Sequence, residues 1–90
     1  MTVGNADERP SEVFEMLVEE VWVLQSRPYP IVTGPIVSGA VRVGDRVILT
    51  DHEGSAEATI AGVEMHGGGL VLRDVAREEL RKGQRIHKAN

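Results

Sequence analysis

The sequence contains no cysteine, which excludes disulfide bonds and thiolate metal sites and is typical of a reducing cytoplasm. Only one tryptophan, one tyrosine and one phenylalanine are present, so we expect a core built from Val, Ile and Leu. No apolar run approaches the ~20 residues that a membrane-spanning helix needs. The first residues also lack the basic and apolar regions of a secretory signal. These absences predict a cytoplasmic protein that makes no contact with a membrane.

The charge balance is acidic, with a formal net charge of −4 over 90 residues. Such a balance argues against strong autonomous binding to nucleic acid, because phosphate contacts need a basic surface. Acidic residues crowd the first part of the chain and basic residues crowd positions 73–88. Either the two ends of the chain lie close together and neutralise each other, or the basic end forms a contact face.

The segment 32–47 carries the clearest signal, because its apolar residues alternate and glycines interrupt it. Similar short apolar runs elsewhere, separated by turn residues, predict a small β-barrel. We expect a flexible N-terminal tail at 1–12, a barrel domain at 13–88, and a C-terminal end at 89–90. The expected elements after the first strand are strands at 31–37, 46–50, 56–65, 70–72 and around Ile86, turns at 51–54 and 67–69, and a short helical turn at 76–82 closed by Gly83.

The pattern at 13–24 leaves two interpretations open. It fits an amphipathic helix that begins after an N-cap at Ser11. It also fits a strand with Phe14, Met16 and Val18 on one face and a bulge at the adjacent glutamates 19–20.

No motif for catalysis, cofactor binding or metal binding is present. None of the three histidines has a second ligand at the spacing of a zinc motif. No serine lies in a Gly-x-Ser-x-Gly elbow. Gly34 and Gly39 share the spacing of a phosphate-binding loop, but Ala40-Val41 follows them instead of Lys-Ser/Thr. We therefore expect no catalytic residues, no cofactor, no metal site and no GTP binding.

Five segments together resemble the second, β-barrel domain of elongation factor Tu and related translational GTPases. The resemblance covers about residues 13–88 in one order. The matching segments are an apolar and acidic first strand at 14–22, Val-Thr-Gly at 32–34, Gly-apolar-x-Val-Gly-Asp-x-Val at 39–47, Gly-Val-Glu-Met at 62–65, and the closing Leu-Arg to Gly-Gln run at 72–84.

The resemblance implies a strand rather than a helix at 14–24. In that family the barrel packs on the GTPase domain and holds the aminoacylated 3′ end of tRNA. Glu64 occupies the position that stacks on the terminal adenine, and Trp22 the position of the aromatic near the aminoacyl group. Arg27 and Arg73 are weaker candidates for contacts. By composition alone, a tryptophan in a chain with so few aromatics is more often a core residue.

The sequence also departs from the family at several positions. Gly67 replaces a basic residue, and the long segment that follows it in the family is missing. Pro35 stands where an arginine is common, Asp74 replaces a glycine, and Arg27 is one place from the family's arginine. Neither a GTPase domain nor a third domain is present in the sequence, so the resemblance implies that much of the tRNA pocket has been removed.

These observations predict an all-β protein. The expected fold is a small, closed six- or seven-stranded, mostly antiparallel β-barrel of the translation-factor second-domain type, with one short helical turn. The expected function is that of a non-catalytic binding module that docks on a protein partner. The alternative is translation-related RNA binding, to the tRNA acceptor end or to the ribosome. An enzyme acting through a site without a recognised motif is the remaining possibility.

Overall fold

A computed structural model describes residues 13–64 and 68–89. This part of the chain is all-β, with one short 3₁₀ turn and no α-helix. The eight strands are β1 (Glu15–Leu17), β2 (Glu20–Trp22), β3 (Ile31–Thr33), β4 (Ile36–Ser38), β5 (Arg46–Asp51), β6 (Gly54–Glu64), β7 (Gly69–Arg73) and β8 (Arg85–Lys88).

All eight strands belong to one antiparallel sheet with the order β2-β3-β7-β6-β5-β8-β1-β4. The strands β2 and β4 stand at the two ends of this order. The number of strands is eight rather than the expected six or seven, because two of the expected strands are each interrupted once. The all-β class and the antiparallel pairing are confirmed.

The core lies on one face of the sheet, where alternate residues of every long strand point inward. It is aliphatic apart from Phe14 and Met16, as the composition predicts. The fully buried aliphatic side chains come from six stretches of chain, and they include Val18, Val32, Val47, Leu49, Ile60, Leu70, Leu72 and Ile86.

The stretch 14–24 is extended, so the strand interpretation is confirmed and the helix is wrong. Phe14, Met16 and Val18 are all buried, as expected for one face of a strand. The ladder stops at Val18 and Glu19 and resumes at Glu20, which separates β1 from β2. The expected irregularity at the glutamates is therefore an interruption between two strands.

A matching interruption falls at Gly34-Pro35, between β3 and β4. Here the first hairpin is very tight: a Cβ added to Gly34 would lie 1.9 Å from the carbonyl oxygen of Leu17. The Leu17 N–H donates to the carbonyl oxygen of Pro35 at 3.1 Å, and the Glu19 N–H donates to that of Thr33 at 2.8 Å. Only glycine fits between these two backbones.

Residues 39–45, which connect β4 to β5 within the glycine-rich segment, form a loop rather than a strand. Gly39 begins it with φ of +71°. The Asp45 carboxylate accepts the backbone N–H of Arg42 at 2.9 Å, and the Asp45 N–H donates to the Arg42 carbonyl at 3.0 Å. The Val-Gly-Asp sequence therefore forms a side-chain-supported turn that leads into β5.

The expected helical turn at 76–82 is shorter in the structure, where a 3₁₀ turn spans only Arg77–Glu79. It ends at Leu80, so the prediction that Gly83 closes it is wrong. The physical reason is Gln84, which is buried and draws the chain inward. Its Nε2 donates to the carbonyl oxygen of Glu79 at 2.8 Å, and its Oε1 accepts the backbone N–H of Arg81 at 2.8 Å.

An ion pair joins the two ends of the chain, as the first interpretation of the charge pattern predicts. Glu15 on β1 pairs with Arg85 on β8.

Arg81 pairs with Asp51, with Nε and Oδ2 3.0 Å apart, and the Asp51 side chain is only 9% exposed. The Arg81 guanidinium, and then the backbone N–H of Glu53, hold the pKa of the Asp51 carboxyl below its ordinary value.

Several expectations fall outside the described residues. These are the tail at 1–12, the last residue of the expected strand at 56–65, His66, Gly67 of the expected second turn, and Asn90. Within residues 13–64 and 68–89, no helix has the length and apolar character that crossing a membrane requires.

We predict that Gly34→Ala destabilises the protein more than Gly44→Ala. Both glycines have positive φ, but a Cβ at Gly44 would meet no atom within 4 Å. Gly44→Ala should therefore cost only about 1–2 kcal/mol of backbone strain, and Gly34→Ala more than about 3 kcal/mol because two backbones have to separate. Urea unfolding measures both values. Equal losses would contradict the close approach described above.

We predict that acid weakens the fold through Asp51. Because its pKa is lower in the folded state, its ion pair stabilises the protein above the unfolded pKa of about 3.9, and this contribution is lost as pH falls through the folded pKa. The difference in unfolding free energy between wild type and Asp51→Asn should therefore shrink on acidification below about pH 4. Chemical unfolding across this range measures it, with Arg81→Gln expected to behave similarly. A difference independent of pH would contradict the assignment.

Candidate functional site

The face of the sheet opposite the core carries the candidate site, across β2, β3, β7 and β6. Residues directly opposite each other on paired strands project from the same face. Val32 and Leu70 are paired and buried in the core, so their neighbours along each strand point the other way. The row on one side of them is Glu20, Thr33, Gly69 and Glu64, and the row on the other side is Trp22, Ile31, Val71 and Gly62.

These two rows and the chain that follows β2 enclose a groove of about 270 Å³. We call it the Trp22 groove. Its lining is Trp22, Leu24, Arg27, Ile31, Thr33, Glu64 and Gly69. Three of the four residues expected from the sequence, Trp22, Glu64 and Arg27, therefore lie together.

Trp22 lies outside the core, with 49% of its surface exposed. The prediction from composition alone, that this residue is part of the core, is wrong. The strand alternation explains the position, since Val21 beside it packs against the core. The indole Nε1–H donates to Oγ1 of Thr33 at 3.3 Å. This bond holds one edge of the ring to β3 and leaves much of the ring in solvent.

Arg27 and Glu64 face each other on the rim of the groove. The Arg27 Nη1 lies 3.6 Å from Oε2 of Glu64, and both side chains are about half exposed, 49% and 47%. An exposed pair at this distance contributes little to stability, ~0–1 kcal/mol. Both groups therefore remain available to an incoming ligand at small cost.

Gly69 lies between Thr33 and Glu64 in the lining of the groove, because it pairs with both residues across β3, β7 and β6. A Cβ added to Gly69 would lie 3.3 Å from Cβ and Cγ of Glu64 and 3.4 Å from Cγ2 of Thr33. Beside it, Ile31 is 9% exposed although it points away from the core. The lining therefore combines a glycine and a buried isoleucine with the polar side chains of Thr33, Arg27 and Glu64.

Arg73, the remaining candidate, is not in the groove. It ends β7 four residues beyond Gly69, which corresponds to about 13 Å along a strand. Its Nη1 bonds instead to Oδ2 of Asp74 at 3.0 Å. Asp74 has φ of +64°, a left-handed conformation that aspartate tolerates better than most residues.

Sequence reasoning missed four residues of the groove, Leu24, Ile31, Thr33 and Gly69. The alternation at 31–33 contained a usable signal, because Val32 alone of these three belongs to the core cluster. The position of Gly69 depends on the pairing of β7 with β3, which no local pattern indicates.

Two further depressions adjoin the groove. One, of about 510 Å³, is open and lies beside the interruption between β3 and β4. The other, of about 410 Å³, is more polar and lies between the 23–30 loop and Arg77. Among residues 13–64 and 68–89, no three side chains of His, Asp or Glu converge as metal ligands.

No protein-family model matches the sequence. The relation to the translational GTPases therefore remains a resemblance carried by the sequence motifs.

Proposed function

We propose that the chain is a non-catalytic binding module that docks on a protein partner through the Trp22 groove. The observation that carries the proposal is the position of Trp22, the only tryptophan, half-exposed in the lining of a groove. Trp is enriched among the residues that dominate binding energy at protein interfaces. A fold that needs this side chain only for stability would place it in the core.

We also propose that the sheet closes into a barrel of the translation-factor second-domain type. The strands at the two ends of the sheet order, β2 and β4, continue directly from β1 and β3 along the chain. Counting β1 with β2, and β3 with β4, turns the order into a ring of six strands. The two backbone hydrogen bonds from Leu17 and Glu19, at 3.1 and 2.8 Å, support this closure. Asp74 also supports a barrel of this type, because its backbone has a left-handed conformation, with φ of +64°, at the position where the family has glycine.

The acidic surroundings of the groove favour a protein partner over RNA. Glu20 and Glu64 project from the same row of the sheet, and the chain as a whole has a net charge of −4. RNA binding is the second candidate, because Trp22 and Glu64 line one groove, as the resemblance implies for contact with a tRNA end. A reducing cytoplasm is the proposed location, on the absence of cysteine.

We predict that Trp22→Ala removes partner binding and leaves the fold intact. Tagged wild-type chain and the variant are compared by quantitative capture from lysate, and a protein lost with Trp22→Ala is then purified and its dissociation constant measured. The constant should rise about tenfold or more, as for a central interface tryptophan. Val43→Ala is the matched control, because Val43 is 65% exposed and lies in the turn between β4 and β5.

Identical capture by wild type and Trp22→Ala would contradict the protein-docking proposal. Thermal unfolding of both proteins separates a binding effect from a folding effect. The same two proteins are titrated with labelled aminoacyl-tRNA and with ribosomes at low salt. The RNA alternative would be established instead by two results together. The wild type binds tRNA or ribosomes saturably and Trp22→Ala does not, and the capture from lysate yields no protein whose binding depends on Trp22.

A further inference from the structure

The polar depression beside the Trp22 groove combines positive charge with apolar walls. We call it the basic pocket. Its lining is Val23, Leu24, Gln25, Arg27, Pro28, Tyr29, Pro30 and Arg77. At about 410 Å³ it falls within the size range of small-ligand sites, ~300–1,000 Å³.

Two arginines from different elements line this pocket, Arg27 from the loop after β2 and Arg77 from the 3₁₀ turn. The described part of the lining includes no carboxylate. In a chain with a net charge of −4, a pocket lined by two arginines and by no acidic residue is a local reversal of sign, although Glu64 lies 3.6 Å from Arg27 on the side of the Trp22 groove. Such a reversal favours an anionic ligand.

The backbones that carry the two arginines are held in place. The Arg27 N–H donates to the carbonyl oxygen of Leu24 at 3.1 Å, and the loop is tied to β7 where the Leu72 N–H donates to the Pro30 carbonyl at 3.0 Å. The turn that carries Arg77 is followed directly by Leu80, which is buried in the core. Because these two backbones are already ordered, only the arginine side chains lose conformational entropy when an anion binds.

The basic pocket and the Trp22 groove are contiguous, because Arg27 and Leu24 line both. The Arg27 guanidinium is held by Glu64 only at 3.6 Å on an exposed rim. A ligand carboxylate in the basic pocket can therefore compete for it at small cost.

We propose that the basic pocket binds the carboxylate of an acidic residue in the partner protein, next to an apolar side chain of the same segment that fills the Trp22 groove. This inference rests on the proposed docking function and specifies the chemistry of the partner. An acidic peptide fits better than RNA, since a polyphosphate strand leaving the pocket would meet Glu64 and Glu20 on the same face. A peptide with a single carboxylate in the basic pocket and an apolar side chain in the Trp22 groove places no negative charge in the groove next to Glu64 or Glu20.

Titration of the labelled protein with four small probes, followed by NMR, tests the proposal. The probes are acetyl-Leu-Glu-amide, acetyl-Leu-Gln-amide, acetyl-Gly-Glu-amide and adenosine 5′-monophosphate. The indole N–H of Trp22 reports on the groove without ambiguity, because the chain has one tryptophan. The Nε–H groups of Arg27 and Arg77 report on the basic pocket.

The Leu-Glu probe should shift all three reporters and bind about fivefold or more tightly than either Leu-Gln or Gly-Glu. In the Arg77→Gln variant, the ratio of the affinities for the Leu-Glu and Leu-Gln probes should fall to about one. In the Arg77→Lys variant, which keeps the positive charge, part of the preference should remain. The matched control is Arg46→Gln, which removes the same charge from an exposed pair with Glu57 on β5 and β6 and should leave the preference unchanged. Spectral dispersion checks that each variant is folded.

The outcomes separate this inference from the proposed function. Equal binding of the Leu-Glu and Leu-Gln probes, with the indole still shifted, would overturn the basic pocket and leave docking at the Trp22 groove intact. No indole shift with any peptide would overturn both. Tighter binding of adenosine monophosphate than of the Leu-Glu probe would overturn the acidic-peptide inference and favour the RNA alternative.

Discussion

The structure depends on one close backbone contact, where Gly34 lies against the carbonyl of Leu17. This contact sits where both strands of the first hairpin are interrupted, and it lets the hairpin bend and still exchange hydrogen bonds on either side. The contact also reaches the candidate site. A Cβ on Gly68 would lie 2.7 Å from the carbonyl oxygen of Gly34, and the next residue, Gly69, lines the Trp22 groove. Three glycines thus connect the close contact in the hairpin to the lining of the groove.

The candidate site is built largely from side chains that the core does not use. Trp22, Thr33 and Glu64 alternate with core residues along β2, β3 and β6, so the same strands supply both faces. Substitution of these residues should therefore affect binding more than folding. The basic pocket differs, because its arginines stand on a loop and a turn that core contacts hold in place.

Much of the strand pattern could be predicted from the sequence, because period-2 alternation and turn residues are local signals. The turn at 51–54 and the strand β5 illustrate this. The irregularity at glutamates 19–20 could be predicted, but only as a bulge. Its form, an interruption of both strands of the first hairpin, depends on two distant backbones meeting. The short 3₁₀ turn was overestimated because helix propensity at 76–82 is local, whereas the hydrogen bonds of Gln84 that end the turn are tertiary.

The site was predicted only in part for the same reason. Trp22, Arg27 and Glu64 were identified by resemblance, and the structure brings them together. Arg73 was a weaker candidate by the same resemblance, as a residue of the closing Leu-Arg motif, but it ends β7 four residues beyond Gly69 and lies outside the groove. Leu24 and Arg77 line the basic pocket because the 23–30 loop lies next to the 3₁₀ turn. No sequence pattern indicates that these two segments are neighbours.

Hydrogen exchange of the backbone amides of Leu17 and Glu19 tests the central claim, that the first hairpin joins the two ends of the sheet into a ring. If it does, both amides exchange as slowly as the amides of the β5–β6 ladder, because their hydrogen bonds open only on global unfolding. The Gly34→Ala variant should then lose protection at both amides by at least as much as at the β5–β6 amides, because it lowers global stability and also separates these two backbones. If both amides instead exchange as fast as that of His52, in the exposed turn between β5 and β6, the sheet is open and the proposed barrel is wrong.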